Sequence, residues 1–234
     1  MNDSPDEKLN TNDKPQNPLK RFLIITLFPE MFDGVLDSSM MWKARKDGIV
    51  DFQFLNLREF GLGPRRKVDD KPFGGGSGML LMIEPLTKAL AEARRRLPGA
   101  KVLIMTPTKQ IWDQAAAQTH ADSDDNYIIL CGRYEGFDAR VFDLIDEKIS
   151  VGRYVVTGGE LPAMIIIDSI VRLLPGVLGG GPEATKLESY SDEAELEYPQ
   201  YTRPEVYNGV AVPPVLLSGD HAKVRDWRRQ HEQR

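Results

Sequence analysis

Ser150 to Gly179 is the stretch that most constrains the fold, because it joins a β-branched run, a glycine pair and a long apolar segment. The run 154–157 is typical of a buried strand, and Gly158-Gly159 then breaks the chain. Pro162 suits the first turn of a helix, where its missing N–H has no partner to lose. Residues 163–174 are almost all apolar, so we expect a helix that is buried on most sides.

Two charged residues interrupt this apolar helix, Asp168 and Arg172. They are four residues apart and therefore lie on one face. One interpretation is an intrahelical ion pair that stabilises the helix, and the other is that Arg172 contacts a ligand. From this stretch alone, the ion pair is the favoured interpretation.

Strands and helices alternate along the middle of the chain. The predicted strands are 21–27, 51–57, 101–105, 127–130 and 154–157, and the predicted helices are 29–36, 85–97, 110–120, a segment through 144–145, and 163–174. This alternation predicts an α/β fold with a mostly parallel sheet that is covered by helices on both faces. The segment 58–79 has no clear element, and a loop of this length inside a compact domain is usually functional.

The composition fits a protein of one large domain, or one domain with a small appendage. The chain has 234 residues, of which 41% are hydrophobic. No apolar run is long enough to span a bilayer, and the N-terminus lacks the apolar centre of a signal peptide. A single cysteine, Cys131, excludes an internal disulfide framework. We therefore expect a cytoplasmic protein without a membrane partner.

The net charge of −5 argues mildly against a nucleic-acid partner, but it hides local basic clusters. These clusters are 65–67, 94–96 and the group Lys223, Arg225, Arg228 and Arg229 near the C-terminus. Most such clusters are solvated surface. The loop cluster 65–67 and the C-terminal cluster are the better candidates for binding a polyanion.

Three predicted strands end in unusual sequences, Thr106-Pro107, 132–136 and 158–160. In parallel sheets, ligands bind where the carboxyl ends of the strands meet the loops. Exposed main chain at such turns can recognise an uncharged heterocycle such as adenine, and Glu135 could pair with a cationic group of the same ligand.

The sequence contains neither the GxGxxG nor the Walker phosphate motif. Its three histidines are too scattered for metal-ligand spacing, so no metal site is predicted.

Eight motifs match one family, in order, from about residue 22 to the C-terminus. They are 27–32 (LFPEMF), 68–70 (VDD), 73–79 (FGGGSGM), 131–136 (CGRYEG), 158–163 (GGELPA), 175–179 (PGVLG), 201–205 (YTRPE) and 212–219 (VPPVLLSG). On these residues the chain resembles the bacterial tRNA (guanine-N(1)-)-methyltransferases, which modify the guanosine at tRNA position 37.

The resemblance implies a SPOUT-class fold with a deep trefoil knot, a homodimer, a tRNA substrate and S-adenosylmethionine as cofactor. It also associates magnesium with the activity. The residues that it implies for cofactor binding follow the three strand ends. They are Met105, Thr106, Pro107, Gly132, Arg133, Tyr134, Glu135, Gly136, Val151, Gly152, Tyr154, Val155, Val156, Gly158, Gly159 and Pro162.

The same resemblance implies that Glu188 and Arg172 are the catalytic pair, which reverses the preference for an ion pair between Arg172 and Asp168. It leaves Asp168 a role in orienting the arginine. The ring nitrogen of guanine is a poor nucleophile until it loses its proton, so a carboxylate has to accept that proton. A cation then stabilises the charge that grows on the neighbouring carbonyl oxygen.

The chain departs from the family pattern in the linker and at its end. Glutamate stands where the family usually has aspartate, and a one-residue insertion makes Asp192 and Glu193 alternatives to Glu188. Arg153 stands where an acid is common, and the C-terminal region is abbreviated.

The expected organisation is a disordered tail (1–20), a SPOUT methyltransferase domain (21–179), a linker (180–191) and a truncated helical tRNA-binding domain (192–234). Two alternatives to this enzyme stay open. One is a binding module that has lost catalysis, and the other is a methyltransferase of the same fold that acts on another RNA.

Overall fold

The structure is a computed structural model that describes residues 19–179, 188–190 and 196–232. Most of the predicted tail (1–20) and of the predicted linker (180–191) lies outside these residues. Asp192 and Glu193, the alternatives to Glu188, also lie outside them. No helix in the part of the chain that is described has the length and apolar character needed to cross a bilayer.

A five-stranded parallel sheet forms the centre of the larger unit. The strands before residue 150 are β1 (Lys20–Thr26), β2 (Val50–Asn56), β3 (Asp69–Asp70), β4 (Leu80–Leu81), β5 (Lys101–Met105), β6 (Tyr127–Cys131) and β7 (Glu147–Ile149). The order across the sheet is β2-β1-β6-β5-β7, and every neighbouring pair is parallel. Strands β3 and β4 form a separate antiparallel ribbon. The prediction of a mostly parallel α/β sheet is confirmed.

Helices cover both faces of this sheet. They are α1 (Asp33–Leu36), α2 (Ser39–Lys46), α3 (Ile83–Arg96), α4 (Gln114–Asp122) and α5 (Glu160–Val171), with 3₁₀ segments at Pro29–Phe32, Leu57–Phe60 and Ala139–Leu144. Successive residues of β1 point to opposite faces, as the strand period of two requires. Phe22 and Ile24 pack with α1, α2, α4 and α5, whereas Leu23 and Ile25 pack with α3. The sheet is therefore buried on both sides, which explains why its strands are continuously apolar.

The predicted strand at 154–157 is wrong. These residues are irregular, and the side chains of Tyr154 and Val155 are 59% and 87% exposed. The last strand is instead β7, which pairs with β5 and ends before Ser150. A β-branched run is typical of a strand only where neighbouring strands can bury it, and this run faces open space.

Two helix predictions also needed correction. The helix expected at 110–120 begins only at Gln114, because the Asp113 side chain accepts a hydrogen bond from the Ala116 N–H (2.8 Å) and caps the helix there. The helix expected through 144–145 is a 3₁₀ segment, Ala139–Leu144, and two residues separate it from β7. The other predicted strands and helices agree with the structure to within a few residues at their ends.

Beyond residue 196 the chain forms a hairpin and two helices, namely β8 (Val206–Tyr207), β9 (Val210–Ala211), α6 (Pro214–Leu217) and α7 (His221–His231). The Asp220 side chain accepts hydrogen bonds from the N–H groups of Ala222 and Lys223 and so caps α7. No side chain described in 196–232 is buried. This segment therefore offers exposed surface rather than a core of its own.

Candidate active site

A cavity lies at the carboxyl edge of the sheet, where β6, β5 and β7 are neighbours. The loops that follow these three strands form its walls, and Pro162 of α5 closes one side. All sixteen residues that the resemblance implies for cofactor binding line this cavity. The structure brings these residues together, and their role in binding a cofactor stays a prediction.

Four further residues line the same cavity and were missed in the sequence, namely Phe137, Ile149, Ser150 and Thr157. Ile149 and Ser150 were missed because β7 was not recognised, and a residue at the end of a strand is placed by that strand. Phe137 follows the glycine-rich turn after β6, and its ring packs where a side chain on Gly132 would otherwise lie. The position of Phe137 directly after this turn is the feature of the sequence that could have identified it.

The walls of the cavity are held together by close main-chain contact between two loops. The Gly159 N–H donates to the carbonyl of Gly132 (2.8 Å). A Cβ on Gly159 would lie 2.6 Å from the Gly132 nitrogen and 2.8 Å from Cα of Cys131. Only glycine permits this approach, so the glycine pair that breaks the chain in sequence also fixes the two loops against each other.

The loop 58–79 contributes to the same wall. The Glu135 N–H donates to the carbonyl of Met79, and the Leu81 N–H donates to the carbonyl of Gly136, both at 2.9 Å. A Cβ on Gly78 would lie 2.4 Å from Cγ of Glu135. The glycine-rich segment is therefore packed against the cavity loop, and Phe73 at its turn is fully exposed.

The side chain of Arg133 turns from the cavity towards the interior. Its Nε lies 2.9 Å from Oε2 of Glu160, and its guanidinium lies over the ring of Phe28, 4.5 Å from the centroid. Glu160 is fully buried, and its Oε1 accepts a hydrogen bond from the Thr26 hydroxyl (2.7 Å). The contact between Arg133 and Glu160 is an ion pair without hydrogen-bond alignment. These groups connect the cavity loop to the end of β1.

Cys131 ends β6 beneath the cavity and is buried. Burial raises the pKa of its thiol well above the usual value, and the neighbouring carboxylate of Glu160 acts in the same direction. Because the thiolate is the nucleophilic form, this residue is a core side chain rather than a nucleophile.

The predicted catalytic pair is close together in the structure. Arg172 follows the last turn of α5, and its Nη2 donates to Oε1 and Oε2 of Glu188 at 2.6 and 2.7 Å. Both side chains are partly exposed. Asp168 is exposed, and no ion pair joins it to Arg172 in the described part of the chain. The predicted ion pair between Asp168 and Arg172 is therefore wrong, because Arg172 pairs with Glu188 instead.

Neither member of this pair lines the cavity of this chain. Pro162, near the start of α5, lies at the cavity, whereas Arg172 follows the end of the same helix. Ten residues of helix separate them, which corresponds to about 15 Å along the axis. One chain by itself thus has the cavity at one end of α5 and the acid–arginine pair at the other.

The comparisons with known proteins agree with these features. Residues 20–234 match the family model described as tRNA (guanine-1)-methyltransferase TrmD. A tRNA (guanine-N(1)-)-methyltransferase of Geobacter sulfurreducens is 47% identical over 211 residues, which cover 90% of this chain and 85% of that protein. The enzyme of the same name from Dictyoglomus turgidum is 45% identical over 210 residues, which cover 90% of this chain and 84% of that protein.

A solved structure also resembles this chain along most of its length. It is the crystal structure of the tRNA (m1G37) methyltransferase from Aquifex aeolicus, with a TM-score of 0.75 and 36% sequence identity. The match covers 92% of this chain and 89% of that one. The chain therefore belongs to the tRNA (guanine-1)-methyltransferase family.

Proposed function

We propose that this protein transfers a methyl group from S-adenosylmethionine to N1 of the guanosine at position 37 of tRNA. The observation that carries the proposal is the cavity itself, in which three strand-end loops meet and five glycines are part of the lining. A relative that is 47% identical is named as a tRNA (guanine-N(1)-)-methyltransferase, and a solved structure that is 36% identical is named as a tRNA (m1G37) methyltransferase.

The residues of the cavity fit the proposed cofactor. Five of the lining residues are glycines, so no side chain at these positions stands between the main chain and a flat heterocycle. Glu135 is the acid among the lining residues and suits the amino group of the ligand. When bound, S-adenosylmethionine supplies a methyl group on a positively charged sulfur.

Glu188 and Arg172 are proposed to act on the guanine. The carboxylate of Glu188 accepts the proton from N1, and the guanidinium of Arg172 stabilises the negative charge that develops on O6. The ion pair between them leaves capacity for both tasks, because a carboxylate has about four acceptor positions and a guanidinium has five N–H donors. The protein otherwise holds the two reactants in line.

We further propose that the active site is shared between two subunits of a homodimer. Arg172 and Glu188 are separated from the cavity of their own chain by most of α5, so a second copy can supply them. Leu161 and Ile165, one turn apart on α5, are 51% and 49% exposed. Met31 and Val35 are also exposed, on the segment that precedes α2. These apolar side chains are candidates for the interface.

The deep trefoil knot and the tRNA-binding role of the C-terminal segment belong to the same proposal. The close crossing of the loops at Gly132 and Gly159 supports the knot. The charged helix α7 carries Lys223, Arg225, Arg228 and Arg229 on exposed or half-exposed positions, which supports contact with RNA. A tRNA substrate places the working enzyme in the cytoplasm.

Magnesium is not given a step in this mechanism. Among the residues that the structure describes, no group of three or more His, Cys, Asp or Glu side chains could hold a metal ion. The described residues therefore do not fit a metal site built from protein ligands alone.

The test is methylation of transcripts that differ only at position 37. The protein should bind S-adenosylmethionine in a calorimetric titration and methylate the transcript with guanosine at that position, but not the one with adenosine. Cofactor binding without any turnover would favour a binding module that has lost catalysis. Methylation that ignores the base at position 37 would favour another RNA substrate.

A further inference from the structure

A second concave surface lies outside the candidate active site, on the segment that joins β2 to β3. Residues 58–67, which we call the basic hairpin, form most of it, and Asp69 completes its edge. The basic hairpin contributes Arg58, Arg65, Arg66 and Lys67 to the lining. None of these four residues lines the cavity of the candidate active site.

The basic hairpin has a defined conformation. Leu62 and Lys67 exchange two main-chain hydrogen bonds (2.8 and 2.9 Å), and the Arg66 N–H donates to the carbonyl of Gly63 (3.0 Å). A Cβ on Gly61 would lie 2.3 Å from the Arg66 carbonyl carbon, so the two arms touch. Val68, directly after the hairpin, is buried in the core. The arginines are therefore presented on a supported turn, which lowers the entropy cost of binding.

Three of these cations have no acidic partner among the described residues. Lys67 pairs with Asp70 (2.9 Å), whereas the guanidinium groups of Arg58, Arg65 and Arg66 form no ion pair or hydrogen bond within the described ranges. Most other arginines between 19 and 179 are engaged, for example Arg45 with Asp37 and Arg140 with Asp138. In a chain of net charge −5, three unpaired arginines in one concavity form a local positive surface.

The chemistry of this surface suits phosphate groups in a chain. A guanidinium presents planar N–H donors that match phosphate oxygens in pairs, and several arginines along one concavity match successive phosphates. Of the other lining residues, Leu62 and Pro64 are uncharged, and Asp69 at the edge carries the single negative charge against four cations. Such contacts position a nucleic acid without reading its sequence.

The basic hairpin is connected directly to the candidate active site. Asp69, at the edge of the concavity, begins β3, and β3 pairs with β4. Leu81 at the end of β4 donates its N–H to the carbonyl of Gly136, which lines the cavity. A two-stranded ribbon therefore joins the two surfaces, so that an RNA held at the hairpin is fixed relative to the cavity.

We propose that the basic hairpin binds the phosphodiester backbone of the tRNA through Arg58, Arg65 and Arg66. The inference rests on the proposed function, because it takes tRNA as the substrate, but it adds a site outside the nucleotide that is methylated. The hairpin contributes affinity and placement, and it takes no part in the chemical step.

The test compares three proteins, namely the wild type, the triple variant Arg58→Gln, Arg65→Gln, Arg66→Gln, and the control Arg21→Gln. Arg21 is an exposed arginine near the amino end of β1, whereas the cavity lies at the carboxyl edge of the sheet. Its main-chain N–H, which donates to Asn126, is unaffected by the change. KM for tRNA, kcat and the dependence of tRNA binding on salt are measured for each, together with affinity for S-adenosylmethionine.

In the triple variant we expect KM for tRNA to rise about tenfold or more at ~100 mM salt, with kcat and cofactor affinity close to wild type. The slope of log K against log salt should become shallower by about one for each arginine removed. The triple Arg→Lys variant, which keeps the charges, should retain most of that slope, and Arg21→Gln should retain all of it.

An unchanged KM and salt slope in the triple Gln variant would overturn the inference while leaving the proposed function intact. A wild type that binds S-adenosylmethionine but methylates no tRNA would instead overturn the proposed function. Normal cofactor affinity in the variants shows that they are folded. A loss of tRNA binding equal in Arg21→Gln and the triple variant would also count against a specific hairpin site.

Discussion

Nη2 of Arg172 lies 2.6 Å from Oε1 and 2.7 Å from Oε2 of Glu188, so a single nitrogen bridges both oxygens of the carboxylate. The pair lies at the end of α5 that is remote from the cavity. Glu188 lies sixteen residues beyond Arg172 in the sequence, so the contact is formed by the fold and not within the helix. Because neither residue lines the cavity, each can be substituted without a direct change to the proposed cofactor site.

Replacing Glu188 by glutamine should lower kcat for methyl transfer by about 10²- to 10⁴-fold, because the N1 proton then has no carboxylate to accept it. Affinity for S-adenosylmethionine should change little, since Glu188 is not part of the cavity. Glu188→Asp should retain part of the activity, as the shorter acid keeps the chemistry and loses reach. Single-turnover kinetics and a calorimetric titration measure the two effects, and unchanged turnover in Glu188→Gln would remove this residue from the mechanism.

Arg172→Gln should lower kcat by about 10²- to 10³-fold, because the charge on O6 loses its stabilising cation. Asp168→Asn is the matched control on the same face of α5. Asp168 is exposed and forms no ion pair with Arg172 among the residues described, so this change should leave kcat within about twofold. Equal losses in both variants would show that the acid orients the arginine after all.

A shared active site predicts that two inactive variants complement each other. Val156→Trp fills the cavity from an exposed loop, and Arg172→Gln removes the cation from the other end of α5. A mixed dimer has one site with an intact cavity and an intact arginine, so an equal co-expression should recover about a quarter of wild-type activity. Each variant expressed alone provides the control. No recovery in isolated mixed dimers would mean that each chain completes its own site.

Gly159→Ala should lower the free energy of unfolding by about 1–3 kcal/mol, because its Cβ would lie 2.6 Å from the nitrogen of Gly132. Cofactor affinity should fall as well, since both glycines line the cavity.

Gly34→Ala is the matched control for Gly159→Ala, as nothing lies within 4 Å of a Cβ there. It should leave stability unchanged or raise it by up to about 1 kcal/mol. Urea titrations give both values, and equal stability of the two variants would contradict the close loop contact.

The buried thiol of Cys131 makes stability depend on pH above the neutral range. Burial raises the pKa of this thiol in the folded state above its unfolded value of about 8.5. The stabilisation is complete below the unfolded pKa and is lost as pH rises towards the folded pKa, by about 1.4 kcal/mol per pH unit. Cys131→Ala should remove this part of the slope in urea titrations between pH 8 and 10. Rapid alkylation of the thiol in the native protein at pH 8 would show that it is accessible.

The sequence by itself determined four of the five strands of the sheet, and its motifs located sixteen of the twenty residues that line the cavity. Strands such as β1 and β6 are continuously apolar because both faces of the sheet are covered, and this pattern is legible without a structure. The motifs at Gly132–Gly136 and Gly158-Gly159 located the cavity loops, since the backbone approach that they permit requires glycine.

Only the tertiary structure decided what surrounds a residue. The run 154–157 has the composition of a strand, but β7 already occupies the sheet edge next to β5 and leaves the run exposed at the cavity. Asp168 is nearer to Arg172 in sequence than Glu188, yet the linker acid forms the ion pair. Local pattern fixes which residues favour a strand, a turn or a helix, whereas the partner of a charge and the burial of a loop depend on segments that are distant in sequence.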